Sequence, residues 1–194
     1  HVIENKKEQE YLDRLRSEGE TVYSISRINA YHQCSYQYYN TYILKDRGLS
    51  SCYAEIGTFL HNYIENVYRG EIEDTSDFKR KFNMNMFKLE MNDLRFPSET
   101  IENSFRKDIS HFCDNFSKLD GSFELEKMYI AKFDEYYLYV YIDAIREYDD
   151  EISIIDWKSS SKFVSSKLSS AGRQLIVYKL GLEQTGLKID KVMW

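Results

Sequence analysis

Proline is almost missing from this 194-residue chain, at one residue, and glycine is sparse at eight. A chain poor in both has little turn chemistry, so regular elements are expected to dominate over long loops. Cysteine is scarce too. Cys34, Cys52 and Cys113 cannot all pair, and their spacing suits neither a disulfide framework nor a zinc site. Reduced thiols in a cytoplasmic protein are the expectation. No apolar run approaches membrane-spanning length, and the charged N-terminal segment lacks the apolar stretch of a secretion signal. Net positive charge is also missing: 26 Lys and Arg stand against 32 Asp and Glu, a balance of −6. The molecule as a whole is therefore not a basic nucleic-acid binder, and binding phosphate would need a local positive groove or bound cations. A start at His1 rather than Met is expected of a trimmed chain or a fragment, so neither terminus is informative.

Aromatics are abundant, with 17 Tyr and 11 Phe, inside an ordinary globular composition of 42% hydrophobic and 30% charged residues. One domain over 1–194 is expected, helical to about residue 120 and sheet-bearing from about 121. Apolar periodicity predicts helices over 4–18, 27–44 (capped by Ser24 or Ser26), 54–68, 76–93 and 98–119. The many tyrosines over 27–44 are expected to form core plus a groove wall, with base stacking the less expected use. Strands are predicted over 123–133, 137–145 and 152–157, then a Ser/Lys-rich loop over 159–170 with Lys162 and Lys167. A helix from Ala171 to about Gln184 and a strand over 189–194 complete the order. That order predicts an α/β fold: a central mixed sheet flanked by helices, the last helix acting as crossover.

The most informative stretch is Tyr137–Ser161, two strands joined by the acidic turn Tyr148–Glu151. Each strand carries one acid in an apolar setting, Asp143 after Ile142 and Asp156 after Ile154-Ile155. Strand alternation would put Asp156 and Lys158 on one face, and hairpin pairing could bring Asp143 beside them. Two acids and a lysine at strand ends suit a divalent cation with a cationic partner for a phosphate or a water. A surface hairpin with ordinary charges is the bland alternative, and the burial cost of an unpaired acid counts against it. His61, a lone helical histidine one turn before Glu65, reads on its own as structural or exposed.

Taken in order, these features resemble the RecB-like branch of the PD-(D/E)XK nuclease superfamily. The resemblance rests on Ser24–Arg27 through Gln33–Tyr36, Gly57-Thr58-Phe59-Leu60-His61, Ile142–Ile145, Ile154–Lys158 and Gln174–Tyr178. It implies a restriction-endonuclease-like core and metal-dependent hydrolysis of DNA phosphodiesters. Asp143 and Asp156 would be the metal-binding acids, with the Trp157 carbonyl and His61 as further ligands, and Mg²⁺ or Mn²⁺ as the ion. Lys158 would be the catalytic lysine. Gln174 and Tyr178 would support the site and hold DNA, with Glu126 a supporting carboxylate. An exonuclease in recombination, repair or CRISPR adaptation is implied, with a helicase, recombination or CRISPR protein as partner. The rivals are a silent DNA-binding or assembly module of the same fold and a structure-specific endonuclease. Val140 and Ser35 depart from the common pattern, which has glycine and proline there. Many relatives bind a 4Fe–4S cluster, for which Cys34 matches the first ligand; no cysteine follows Cys113, so no cluster is expected.

Overall fold

The computed structural model describes residues 5–46, 48, 50–158 and 165–193. They form two compact units, one of residues 5–46, 121–157 and 165–193, the other of residues 48–120 with Lys158.

The first unit is built on a five-stranded sheet. Its strands are β1 (Val22–Ser24), β2 (Ser122–Phe133), β3 (Tyr136–Tyr148), β4 (Glu151–Ile155) and β5 (Lys191–Met193). β3 is the spine. β2 runs antiparallel along one edge, while β1 (parallel) and β4 (antiparallel) share the other. β5 then pairs parallel with β4 after the crossover helix α7 (Ser165–Glu183), as expected of a parallel connection. Helix α1 (Lys6–Ser17) buries Leu12 and Leu15. Helix α2 (Ile25–Gln33) is capped by Ser24, whose hydroxyl accepts from the Arg27 amide at 3.2 Å. The core joins Ile25, Val140, Ile142 and Ile154 to Leu175, Tyr178 and Leu182 of α7. The outer edge of β2 is blunted by side-chain amides. Gln184 bonds both polar backbone groups of Lys132, at 3.0 and 2.9 Å. Gly121 opens β2 at φ +125°, where an added Cβ would meet the Glu147 carbonyl oxygen at 2.6 Å, so no other residue fits.

The second unit is helical: α4 (Cys52–Arg69), α5 (Phe78–Met91) and α6 (Glu99–Asn115). Ser51 caps α4, and Gly70 ends it in the left-handed conformation. Tyr63 stacks on Phe78 at 3.7 Å between centroids and donates its hydroxyl to Asp77. Burial, then that Asp77 contact, pushes the Tyr63 phenol up to about 12. The basic run at 79–81 is a surface of ion pairs, Lys79 with Asp114 and both Arg80 and Lys81 with Asp77.

The mixed α/β architecture is the one expected, and several boundaries differ. The single helix over 27–44 is broken: Cys34 takes an extended conformation, the short α3 (Ser35–Tyr38) restarts, and a π-helical turn spans Tyr39–Ile43. Its tyrosines are largely exposed rather than core. β4 ends at Ile155; Asp156 keeps one further backbone bond, to β5, and Trp157 and Lys158 lie beyond it, where strand alternation does not govern them. α7 begins at Ser165, taking in part of the expected loop. Lys162 and Trp194 lie outside the described residues, as does the Lys167 side chain.

Candidate metal centre

Strand register assembles the acids. Leu125, Ala144 and Ile155 pair across β2, β3 and β4 as one row. One position further along each chain segment toward the break stand Glu126, Asp143 and Asp156. Ladder pairing is interrupted there between Leu125 and Lys127 of β2 and ends at Ile155 of β4. Three carboxylates from three consecutive segments thus share one row of the sheet. Sequence reasoning anticipated Asp143 beside Asp156 and ranked Glu126 lower; the register shows why Glu126 joins them.

The site is held from below by directed hydrogen bonds. The Trp157 amide donates to Asp143 Oδ2 at 2.7 Å, which fixes that carboxylate and carries the chain past β4. Asp156 is 2% exposed, and its own amide continues the ladder to the Met193 carbonyl at 3.1 Å. Gln174 Nε2 reaches Asp156 Oδ1 at 3.4 Å and also donates to the Tyr178 hydroxyl. Spaced one turn apart on α7, Gln174 and Tyr178 are thus bonded to each other, and Gln174 reaches Asp156. Burial drives the Tyr178 phenol well above its ordinary value. The Gln174 bond pulls it down, and the charges of Asp156, Asp143 and Glu126 push it up again. The phenol stays protonated beside the acids.

Glu126 occupies the strained part of the site. Its φ is +50° inside an otherwise extended strand, a left-handed conformation costing a non-glycine residue about 1–2 kcal/mol. Asn5 holds that kink. Its Nδ2 donates to the Glu126 carbonyl at 2.7 Å, and its Oδ1 accepts from the Met128 amide at 2.8 Å. The side chain is 5% exposed. It stands where a neighbouring strand would, across the one residue that leaves the ladder. Sequence reasoning missed Asn5, which fell inside the helix expected over 4–18; in the structure it precedes α1 and makes no side-chain cap bond. The contact spans more than a hundred residues.

A carboxylate oxygen of Glu126 lies within 4.8 Å of one of Asp143, near enough for one ion to touch both. Oxygen donors of this kind fit a hard divalent cation. His61 is half-buried on α4 of the helical unit, on the stretch from Ile56 to Val67 that supplies its core. Lys158 is exposed, just after Trp157. Cys34 is an exposed free thiol, and Cys52 and Cys113 are buried free thiols. Burial, with Asp114 adding to it, pushes Cys113 up to about 12. Among the described residues no helix is long and apolar enough to cross a membrane.

Comparison with curated proteins finds no match. The model of the PD-(D/E)XK nuclease superfamily matches residues 22–193, which takes in the whole sheet, α7 and all three acids. With that coverage, and with the acids gathered on one row of a mixed sheet, the chain belongs to the PD-(D/E)XK nuclease superfamily, a family of metal-dependent nucleases.

Proposed function

We propose that this chain is a single nuclease domain of the RecB-like branch that hydrolyses DNA phosphodiesters with Mg²⁺ or Mn²⁺. Its role is that of an exonuclease in recombination, repair or CRISPR adaptation, working with a partner protein of such a pathway. One observation carries the hydrolytic reading: Glu126, Asp143 and Asp156 stand on one row where the ladder opens. Support for the branch comes from the order of the motifs, from the His61 helix to Gln174 and Tyr178 on α7.

Asp143, Asp156 and Glu126 would hold the cation, with the Trp157 carbonyl and the His61 imidazole completing its ligands. When bound, the ion supplies Lewis acidity at the phosphoryl oxygen and lowers the pKa of water. The protein groups do the rest. Lys158 orients the attacking water and offsets negative charge building on the phosphate. Water adds to phosphorus, the bond to the leaving oxygen breaks, and the proton lost by water is balanced by one gained at that oxygen. Gln174 and Tyr178 keep Asp156 in place during this exchange. A cation also offsets the repulsion between an acidic protein and a polyanion.

The test uses end-labelled linear DNA and closed circular DNA, each with Mn²⁺, Mg²⁺ or EDTA. Degradation of the linear substrate alone, only with metal, is the expected result. Cutting of the circle would make the chain an endonuclease. DNA binding with no cleavage under any metal would make it a silent module.

Asn5 gives a separate expectation. Asn5→Ala removes both bonds that hold the Glu126 kink, so Mn²⁺ affinity measured by calorimetry should fall about 10-fold or more, the usual scale for groups that orient ligands. Asn5→Asp, which keeps the acceptor for Met128 and loses the donor to Glu126, should show most of that loss. Unchanged Mn²⁺ affinity with a lower Tm would reduce Asn5 to a structural clamp.

A further inference from the structure

The break in the helix over 27–44 leaves a cluster of tyrosines that the hydrolytic site does not use. Tyr36 is 74% exposed, Tyr31 62% and Tyr39 50%. Tyr31 meets Tyr38 edge-on at 5.2 Å between centroids, and Tyr38 lies 5.3 Å from Tyr42. The Arg27 guanidinium sits 5.5 Å from the centroids of both Tyr38 and Tyr42, and its Nε donates to the Tyr38 hydroxyl at 3.0 Å. The inner rings are thus fixed on a cation, and the outer rings face solvent.

Charge sets this surface apart. In a chain with a net charge of −6, the segment from Thr21 to Lys45 contains no Asp or Glu, while Arg27, His32 and Lys45 lie within it. A surface made only to stay soluble would not be cleared of acids in an acidic protein. Exposed aliphatics flank the rings, Ile28 before them and Ile43 and Leu44 after them. The exposed side chains between 31 and 39 are tyrosine, histidine, glutamine, cysteine and serine. Rings with polar edges, no acids and a seated arginine are the chemistry that stacks unpaired bases while tolerating phosphates. A π-helical turn spans Tyr39–Ile43, a distortion often found at functional positions. Helix α2, which carries Arg27 and Tyr31, shares a core with α7 through Ile25 and Tyr178.

We infer that the exposed rings of Tyr31, Tyr36 and Tyr39, with Tyr31 resting on the Tyr38 that Arg27 holds, form a stacking platform for single-stranded DNA. This deepens the nuclease reading and rests on it: unpaired bases next to the sheet unit are what a nuclease receives at a frayed or unwound end. Duplex DNA keeps its bases stacked inward and offers these rings nothing.

The test is binding of a fluorescein-labelled oligothymidine of about 20 nucleotides, read by anisotropy with Ca²⁺ in place of the catalytic metal. The double variant Tyr36→Ala/Tyr39→Ala removes exposed rings and should keep the wild-type Tm. It should bind the oligomer about 10-fold or more weakly, the scale of losing a stacked base, while duplex binding shifts by less than about 2-fold. Tyr36→Trp/Tyr39→Trp should restore affinity. An abasic oligomer of equal length should bind the wild type as weakly as thymidine binds the alanine variant. Equal affinity of wild type and alanine variant, or undiminished binding of the abasic strand, would overturn the platform. So would a wild-type dimer in solution that the alanine variant loses, since the rings would then face a second copy. Cleavage is scored separately. Loss of hydrolysis under every metal, with ring-dependent binding intact, removes the nuclease reading and leaves the platform. Normal hydrolysis with ring-independent binding does the reverse.

Discussion

Asp143→Asn and Asp156→Asn should each abolish cleavage, lowering turnover by about 10³-fold or more, since Lewis-acid stabilisation by a held cation is worth several kcal/mol. Asparagine keeps the shape and loses the negative charge. In Asp143→Asn the side-chain oxygen can still accept from the Trp157 amide, which now meets it at 2.7 Å. In Asp156→Asn the bond from Gln174 can persist, so both proteins should fold with a Tm close to wild type. Weakened Mn²⁺ binding by calorimetry should accompany the lost activity in both. The assignment fails if either variant still cuts DNA, or if wild-type cleavage survives excess EDTA. His61→Ala tests the imidazole ligand in the same assay and should weaken Mn²⁺ binding without unfolding the helical unit.

Lys158→Ala should lower kcat by about 10²-fold or more, the usual scale for losing a positioned catalytic group. Lys158 is exposed, so its truncation leaves no cavity and should cost little stability. Its position two residues after Asp156 ties the ammonium to the segment that leaves the sheet at the acids. DNA affinity measured with Ca²⁺ should change little, because one charge among many phosphate contacts contributes modestly to binding. Normal turnover with weakened, salt-sensitive affinity would instead make Lys158 an electrostatic clamp.

Much of this was legible in the chain itself. The near absence of proline and glycine, the alternation through Tyr137–Ile145, and the apolar run before Asp156 set the strands and placed Asp156 just past the end of one; Asp143, expected at a strand end, lies inside β3, which runs on to Tyr148. Helix signals were equally local. Ser24, Ser51 and Ser98 cap the helices they precede, because a cap is a bond between a side chain and an amide three residues on. The pairing of Gln174 with Tyr178 followed from one helical turn.

Tertiary structure decided what depends on distant residues. Glu126 joined the acids because β2 pairs with β3 in one register and because its backbone leaves the strand at φ +50°. That conformation is unfavourable locally and persists through Asn5, on a segment that reaches β2 only after folding. The break at Cys34 was hidden for the opposite reason. Aromatic spacing over 27–44 satisfies a helix whether or not its rings find a core, and periodicity counts apolar residues without saying what covers them. The chain specified its strands, caps and two of its acids by local chemistry; the third acid and the exposed rings were settled by which surfaces the sheet and α7 left to bury.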